Sequence, residues 1–108
     1  KLNIDGNKVV AEVGVMLGKI VKETIKRNLT GMESMIGVPG TLGGALIMNA
    51  GAFGGEISNS LDEITVMLMT GETKIYQKHD IDFSYRNSTF PKDEILLSAS
   101  FNLKEKSL

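Results

Sequence analysis

The sequence contains no cysteine, which excludes disulfide bonds and thiolate metal sites outright. Histidine is nearly as scarce. The one imidazole, His79, cannot build a zinc site alone, and in the polar run Gln77-Lys78-His79-Asp80 it reads as a solvated loop residue. An excess of either charge is missing too: twelve basic against thirteen acidic residues leave a net charge of -1. That balance provides no basic footprint for nucleic acid or an anionic membrane. No apolar run reaches the roughly 18 residues of a membrane span, and no signal-peptide pattern opens the chain. Together these absences predict a soluble, cytoplasmic protein with no metal, nucleic-acid or membrane partner.

What is present suits a single globular unit. At 108 residues the chain suffices for one domain and is short for two. Its 42% hydrophobic and 23% charged residues match ordinary folded proteins rather than disordered ones. The chain opens at Lys1 rather than Met, and its first residues already alternate like a strand. The last five, Lys104-Glu105-Lys106-Ser107-Leu108, resemble a cut end. Both ends are therefore expected to be truncations.

Periodicity predicts the elements. Leu2-Asn3-Ile4 and Val9-Val10-Ala11 flank Asp5-Gly6, which predicts a hairpin turning on the glycine. Leu17, Ile20, Val21, Thr24 and Ile25 recur at three- and four-residue steps and predict one apolar helix face. Lys26 and Arg27 complement the end of that helix dipole, and Gly31 is its expected stop. Residues 64–69 and 73–76 read as two strands around Thr70-Gly71-Glu72. Near the end Ile95, Leu97, Ala99, Phe101 and Leu103 alternate with Leu96, Ser98, Ser100 and Asn102, predicting a strand with the first set inward. Hairpins with one clear helix and a shorter one predict an α+β fold, an antiparallel sheet with flanking helices.

Residues 31–55 carry eight of the twelve glycines among apolar side chains, which is not a linker composition. Within them Gly37-Val38-Pro39-Gly40-Thr41-Leu42-Gly43-Gly44-Ala45 combines a fixed φ at Pro39 with glycines open to unusual conformations. Thr41 is placed to cap a short helix over residues 42–48, whose N-terminal amides would suit a diphosphate or the edge of a flat ring. The spacing matches neither the P-loop nor the dinucleotide fingerprint, so packing of a helix on a sheet remains the alternative. A second cluster, Asp82-Phe83-Ser84-Tyr85-Arg86-Asn87-Ser88, offers a guanidinium suited to an oxyanion or phosphate. Its alternative is a surface arginine paired with Asp82.

Taken together the two clusters resemble one family. Gly31-Met32-Glu33 with residues 37–45 looks like the G-x-E and GIPG-[ST]-x-GGA elements of UDP-N-acetylenolpyruvoylglucosamine reductases. Met48-Asn49-Ala50-Gly51-Ala52-Phe53-Gly54-Gly55-Glu56-Ile57 is similar to their MNAGA[YF]G-x-E-I continuation, and Phe83-Ser84-Tyr85-Arg86-Asn87-Ser88 to their F-x-YR-x-S element. The resemblance implies the second half of a vanillyl-alcohol-oxidase/PCMH-type FAD-binding domain. It further implies an enzyme in which NADPH reduces FAD and hydride passes to UDP-N-acetylglucosamine enolpyruvate, in peptidoglycan precursor synthesis. By position it assigns Gly37, Val38, Pro39, Gly40, Thr41, Gly43, Gly44, Ala45, Asn49, Gly51 and Ala52 to the cofactor. Arg86 takes the catalytic position; Tyr85 and Ser88 take substrate-contacting ones.

The family's N-terminal flavin subdomain has no counterpart in these 108 residues. Nor has the C-terminal substrate domain with its proton-donating serine and partner glutamate. An isolated piece of this kind is expected to be inactive, to hold FAD weakly, and to self-associate through apolar surface near Met32, Met35, Ile36 and Phe53. Two other readings stay open: a non-catalytic domain that binds a nucleotide or partner chain, and another flavin oxidoreductase of the same fold.

Overall fold

Local sequence signals build most of the framework, which a computed structural model describes for residues 1–52 and 55–106. β1 (Leu2–Asp5) pairs antiparallel with β2 (Lys8–Glu12), and Gly6 turns the chain at φ +59°. α1 (Leu17–Lys26) buries Leu17, Ile20, Val21 and Thr24. Ile25, expected on the same face, is 45% exposed. At 100° per residue it lies about 80° from Leu17, on the rim of the apolar stripe. The helix is ended by Asn28 at φ +60° rather than by Gly31. Gly31, at φ +135°, serves a close approach instead: a Cβ there would meet the Leu103 and Ser60 side chains at 2.8 Å.

β3 (Leu29–Thr30) leads into a 3-10 turn over Glu33–Met35. Glu33 closes this corner by accepting hydrogen bonds from the Gly31 amide (2.7 Å) and the Thr30 hydroxyl (2.6 Å), which hold its carboxyl below the usual range. α2 (Leu42–Ile47), the short pair β4 (Gly51–Ala52) and β5 (Gly55–Glu56), and a 3-10 turn at Ile57–Ser60 follow. β6 (Leu61–Met67) and β7 (Thr73–Gln77) form the predicted hairpin, with Gly71 at φ +89° in its turn. A small hairpin, β8 (Phe83–Ser84) with β9 (Asn87–Ser88), precedes β10 (Ile95–Asn102) and β11 (Lys104–Glu105).

Five strands make one antiparallel sheet in the order β1-β2-β10-β6-β7, so the last long strand is inserted at its centre. β11 pairs instead with β3. Both helices contribute to a single core with the sheet, including Leu17, Ile20, Leu42, Leu46, Val9, Ile64, Val66 and Phe101. This is the expected α+β architecture.

β10 departs from simple alternation. Leu96 is buried and Ile95 is 63% exposed, opposite to the predicted phase, whereas Ala99 and Phe101 point inward as predicted. The register shift against β6 between Leu96 and Ser98, where β10 carries the extra residue, accounts for this; at a second shift, between Ser100 and Phe101, the extra residue is on β6. An extra residue on one strand inverts which side chains face the core. At the second irregularity the Ser100 hydroxyl accepts from the Glu63 amide at 3.2 Å, so a buried serine is satisfied.

The anticipated exposed apolar face is found only at Ile36 among the described residues. Met32 and Met35 are 1% exposed, because the loop after α1 folds them into the core, while Ile36 is 54% exposed. Phe53 lies outside the described residues. The large exposed apolar side chains include Met48 and Tyr85, beside the site described below. Among the described residues no helix is long and apolar enough to cross a membrane, and no cluster of acidic and histidine side chains could hold a metal ion. His79 is exposed and lies 3.6 Å from Asp80.

One contact makes a pH prediction. The Tyr76 hydroxyl of β7 donates to Glu94 Oε1 at 2.6 Å, just before β10. That bond, then burial and the neighbouring negative charge, push the phenol from about 10 up to about 12. The folded pKa is raised, so its stabilising contribution is complete below about pH 10 and is lost between about pH 10 and 12 as the unfolded phenol ionises first. Urea midpoints measured across that window are expected to fall for the wild type. Tyr76→Phe should lack this component of the fall; an identical profile would show that the bond does not matter.

Candidate functional site

The glycine-rich loop is held against the strand-to-helix connection by backbone bonds. The Leu17 amide donates to Gly40 O at 2.9 Å and the Leu42 amide to Val15 O at 2.9 Å, an antiparallel bridge centred on Met16 and Thr41. Gly40 permits this path at φ +103°, and Gly37 at φ +82°. Gly43 and Gly44, by contrast, are helical and need no positive φ. Gly43 is small for packing: a Cβ there would sit 3.1 Å from Val13 Cβ. Around a Cβ on Gly44 the nearest atom is Thr41 Oγ1 at 3.7 Å, which leaves space.

Thr41 caps α2 as its sequence position predicts, accepting from the Gly44 amide at 3.4 Å. The expected anion site at this helix terminus does not form. The Leu42 and Gly43 amides donate to Val15 O and Val13 O, and the Gly44 amide to the cap. All three first-turn donors are engaged within the chain, so none is left to receive a phosphate. Among the described residues it is the Gly40 and Thr41 amides, one step earlier, that donate to no acceptor.

These residues open onto a cavity of about 290 Å³ lined by Val38, Pro39, Gly40, Thr41, Gly44, Ala45, Met48, Ala50, Gly51 and Arg86. Seven residues assigned to the cofactor by resemblance therefore share one wall, together with the arginine. Four do not line it: Gly37 borders a neighbouring groove, Gly43 faces Val13, Asn49 is fully buried, and Ala52 lies in β4. Met48 and Ala50 were not anticipated. Thr41, Gly44, Ala45 and Met48 recur at helical spacing, a signal that could have found Met48.

Arg86 reaches this wall from 35 residues away. It occupies the bend between β8 and β9 at φ +54°, a conformation uncommon for a residue with a side chain. Its Nη2 donates to Gly51 O at 2.8 Å and its guanidinium lies 4.6 Å from the centre of the Tyr85 ring. No ion pair with Asp82 occurs among the described residues. Tyr85 is 79% exposed, and the Ser88 hydroxyl donates to Ile47 O at 2.6 Å.

A largely apolar wall with the Gly40 and Thr41 amides, no side chain at Gly44 and one guanidinium suits a flat ring with a polar edge. At about 290 Å³ the cavity is at the lower limit of ordinary ligand pockets. It fits one end of an extended dinucleotide rather than the whole.

Comparison with known proteins agrees with this chemistry. A family model described as an FAD binding domain matches residues 1–76. A UDP-N-acetylenolpyruvoylglucosamine reductase of Lactiplantibacillus plantarum is 41% identical over 105 residues, covering 96% of this chain and 35% of the relative. One of Clostridium novyi is 42% identical over 106 residues, covering 97% and 34%. The crystal structure of UDP-N-acetylenolpyruvylglucosamine reductase from Thermus caldophilus superposes with a TM-score of 0.85 at 32% identity, over 91% of this chain and 36% of that one. The chain thus spans about a third of the length of the curated relatives it matches.

Proposed function

Because this chain belongs to the family of FAD-binding domains, we propose that it forms the second half of the flavin-binding module of a UDP-N-acetylenolpyruvoylglucosamine reductase. The remaining flavin subdomain and the substrate domain would be supplied by other parts of that enzyme. NADPH would be the reductant, UDP-N-acetylglucosamine enolpyruvate the acceptor, and the cytoplasm the location. Bound FAD would supply the two-electron hydride chemistry, which no side chain of the protein can provide.

The observation that carries this reading is the meeting of Arg86 with the glycine loop across the 290 Å³ cavity. Residues 38–41 and 44–45 would line the ring, with the Gly40 and Thr41 amides available to its polar edge. Arg86 would hold the acceptor's carboxylate: one Nη bonds Gly51 O, which sets the plane of the guanidinium and leaves its other donors for a ligand.

Gly44 provides the test. Its backbone is helical and open space surrounds the missing Cβ, so Gly44→Val should fold normally while projecting methyl groups into the cavity. In the full-length protein we expect FAD affinity to fall about 10–100-fold, equivalent to about 1–3 kcal/mol of overpacking. Circular dichroism should be unchanged. A fully yellow Gly44→Val protein would remove the flavin from this cavity.

A further inference from the structure

Asn49 stands where a glycine is the usual residue. It follows α2 at φ +46°, its amide donates to Leu46 O at 3.2 Å, and the Ala50 amide reaches back to Ala45 O at 2.8 Å. This is a Schellman ending, in which the left-handed position favours glycine because no side chain has to be accommodated. Asparagine is the side-chain-bearing residue that this geometry tolerates best, but the backbone alone would be served at least as well by glycine. What asparagine adds is its side chain, which is 0% exposed. Nδ2 donates to Ser84 O at 2.8 Å and Oδ1 accepts from the Ser58 amide at 3.4 Å. With both ends of the amide engaged inside the protein, the side chain is not available to a cofactor.

The bond to Ser84 O holds the base of the β8–β9 hairpin, whose bend is Arg86. Two more side-chain bonds, from Ser88 Oγ to Ile47 O and from Arg86 to Gly51 O, close the same seam. Of the three, the Asn49 bond is the one that is part-buried, with its donor residue 0% exposed, while the other two are exposed, so water competes with it least.

We propose that Asn49 is a positioning residue: its buried side-chain amide fixes the hairpin against the end of α2 and thereby sets where the Arg86 guanidinium stands at the cavity. The kinetic half of this inference rests on the proposed reductase activity; the structural half does not.

Two substitutions separate side chain from backbone. Asn49→Gly keeps, and even eases, the left-handed conformation while deleting the amide. Asn49→Asp keeps the shape and the acceptor toward Ser58 but turns the donor toward Ser84 O into a second acceptor. In the full-length protein, hydrogen exchange at the amides of residues 83–88 should quicken by about tenfold or more in both variants, with β2, β6 and β10 unchanged. Reduction of the enolpyruvyl substrate should slow by up to about 10²-fold, as misplacing a catalytic group by about an ångström does. NADPH oxidation should change less than about threefold. In an Arg86→Ala background, either Asn49 change should slow substrate reduction no further, because the two residues act as one unit. Unaltered hairpin exchange, or losses that multiply in the double variant, would overturn the inference. If the wild type reduces no enolpyruvyl substrate, the proposed activity fails while the exchange measurement still decides the role of Asn49.

Discussion

Replacing Arg86 by alanine in the full-length protein is expected to slow enolpyruvyl reduction by about 10²–10³, or roughly 2.7–4 kcal/mol of transition-state stabilisation. As a hydride adds to the β-carbon of an enolpyruvyl group, negative charge accumulates on the substrate's carboxylate. A guanidinium held there by its bond to Gly51 O, as proposed above, would meet that charge without reorganising. Interactions that strengthen in the transition state raise kcat, whereas equal binding of both states would only lower KM. Arg86→Lys keeps the charge and loses the planar fork that bonds Gly51 and a carboxylate together, so it should recover only part of the rate. NADPH oxidation involves no such carboxylate and should be much less affected by either change. Stopped-flow measurement of the two half-reactions checks this. If Arg86→Ala slows both alike, or neither, Arg86 is structural.

The second large effect is expected at Gly51, and it concerns stability. Gly51 pairs with Glu56 across the short β4–β5 ladder, and its carbonyl is the anchor of Arg86. An added Cβ would overlap the Gly55 carbonyl oxygen and stand 3.1 Å from Glu56 Cα. Both are backbone atoms, which cannot turn aside as the end of a flexible side chain can. Gly51→Ala should therefore destabilise the protein by about 1–3 kcal/mol, the usual magnitude for overpacking. Gly44→Ala is the control: it adds the same methyl group to a helical position with room, and should be neutral or stabilising by up to about 1 kcal/mol. Urea unfolding of the cofactor-free variants measures both. Equal stability of the two would mean that the ladder yields easily and that Gly51 is not a constrained position.

Much of the framework was legible because its signals are local. The Asp5-Gly6 turn, the spacing of Leu17, Ile20, Val21 and Thr24, the Thr70-Gly71-Glu72 turn and the capping position of Thr41 each involve a few neighbouring residues, and each forms as expected. The differences arise where another segment of the chain intervenes. Alternation in β10 was broken by a register shift against β6, which depends on how two strands 30 residues apart align. The amides of α2 were judged free from their own helix; Val13 and Val15, on another segment, take two of them. Met32 and Met35, expected on an exposed face, are both buried by the fold.

The sequence by itself determined the elements, the α+β class and the residue types that meet at the site. Those follow from side-chain periodicity and from the conformations open to glycine, proline and threonine. Only the tertiary structure decided what stands beside each candidate site residue. It separated the glycines that bend the chain, Gly37 and Gly40, from those that make room, Gly43, Gly44 and Gly51. It buried the Asn49 side chain against Ser84 and Ser58 and brought Arg86 onto a carbonyl 35 residues away. The physical reason is that hydrogen-bond partners and steric room are set by what other segments place beside a residue, and one-dimensional spacing carries no record of them.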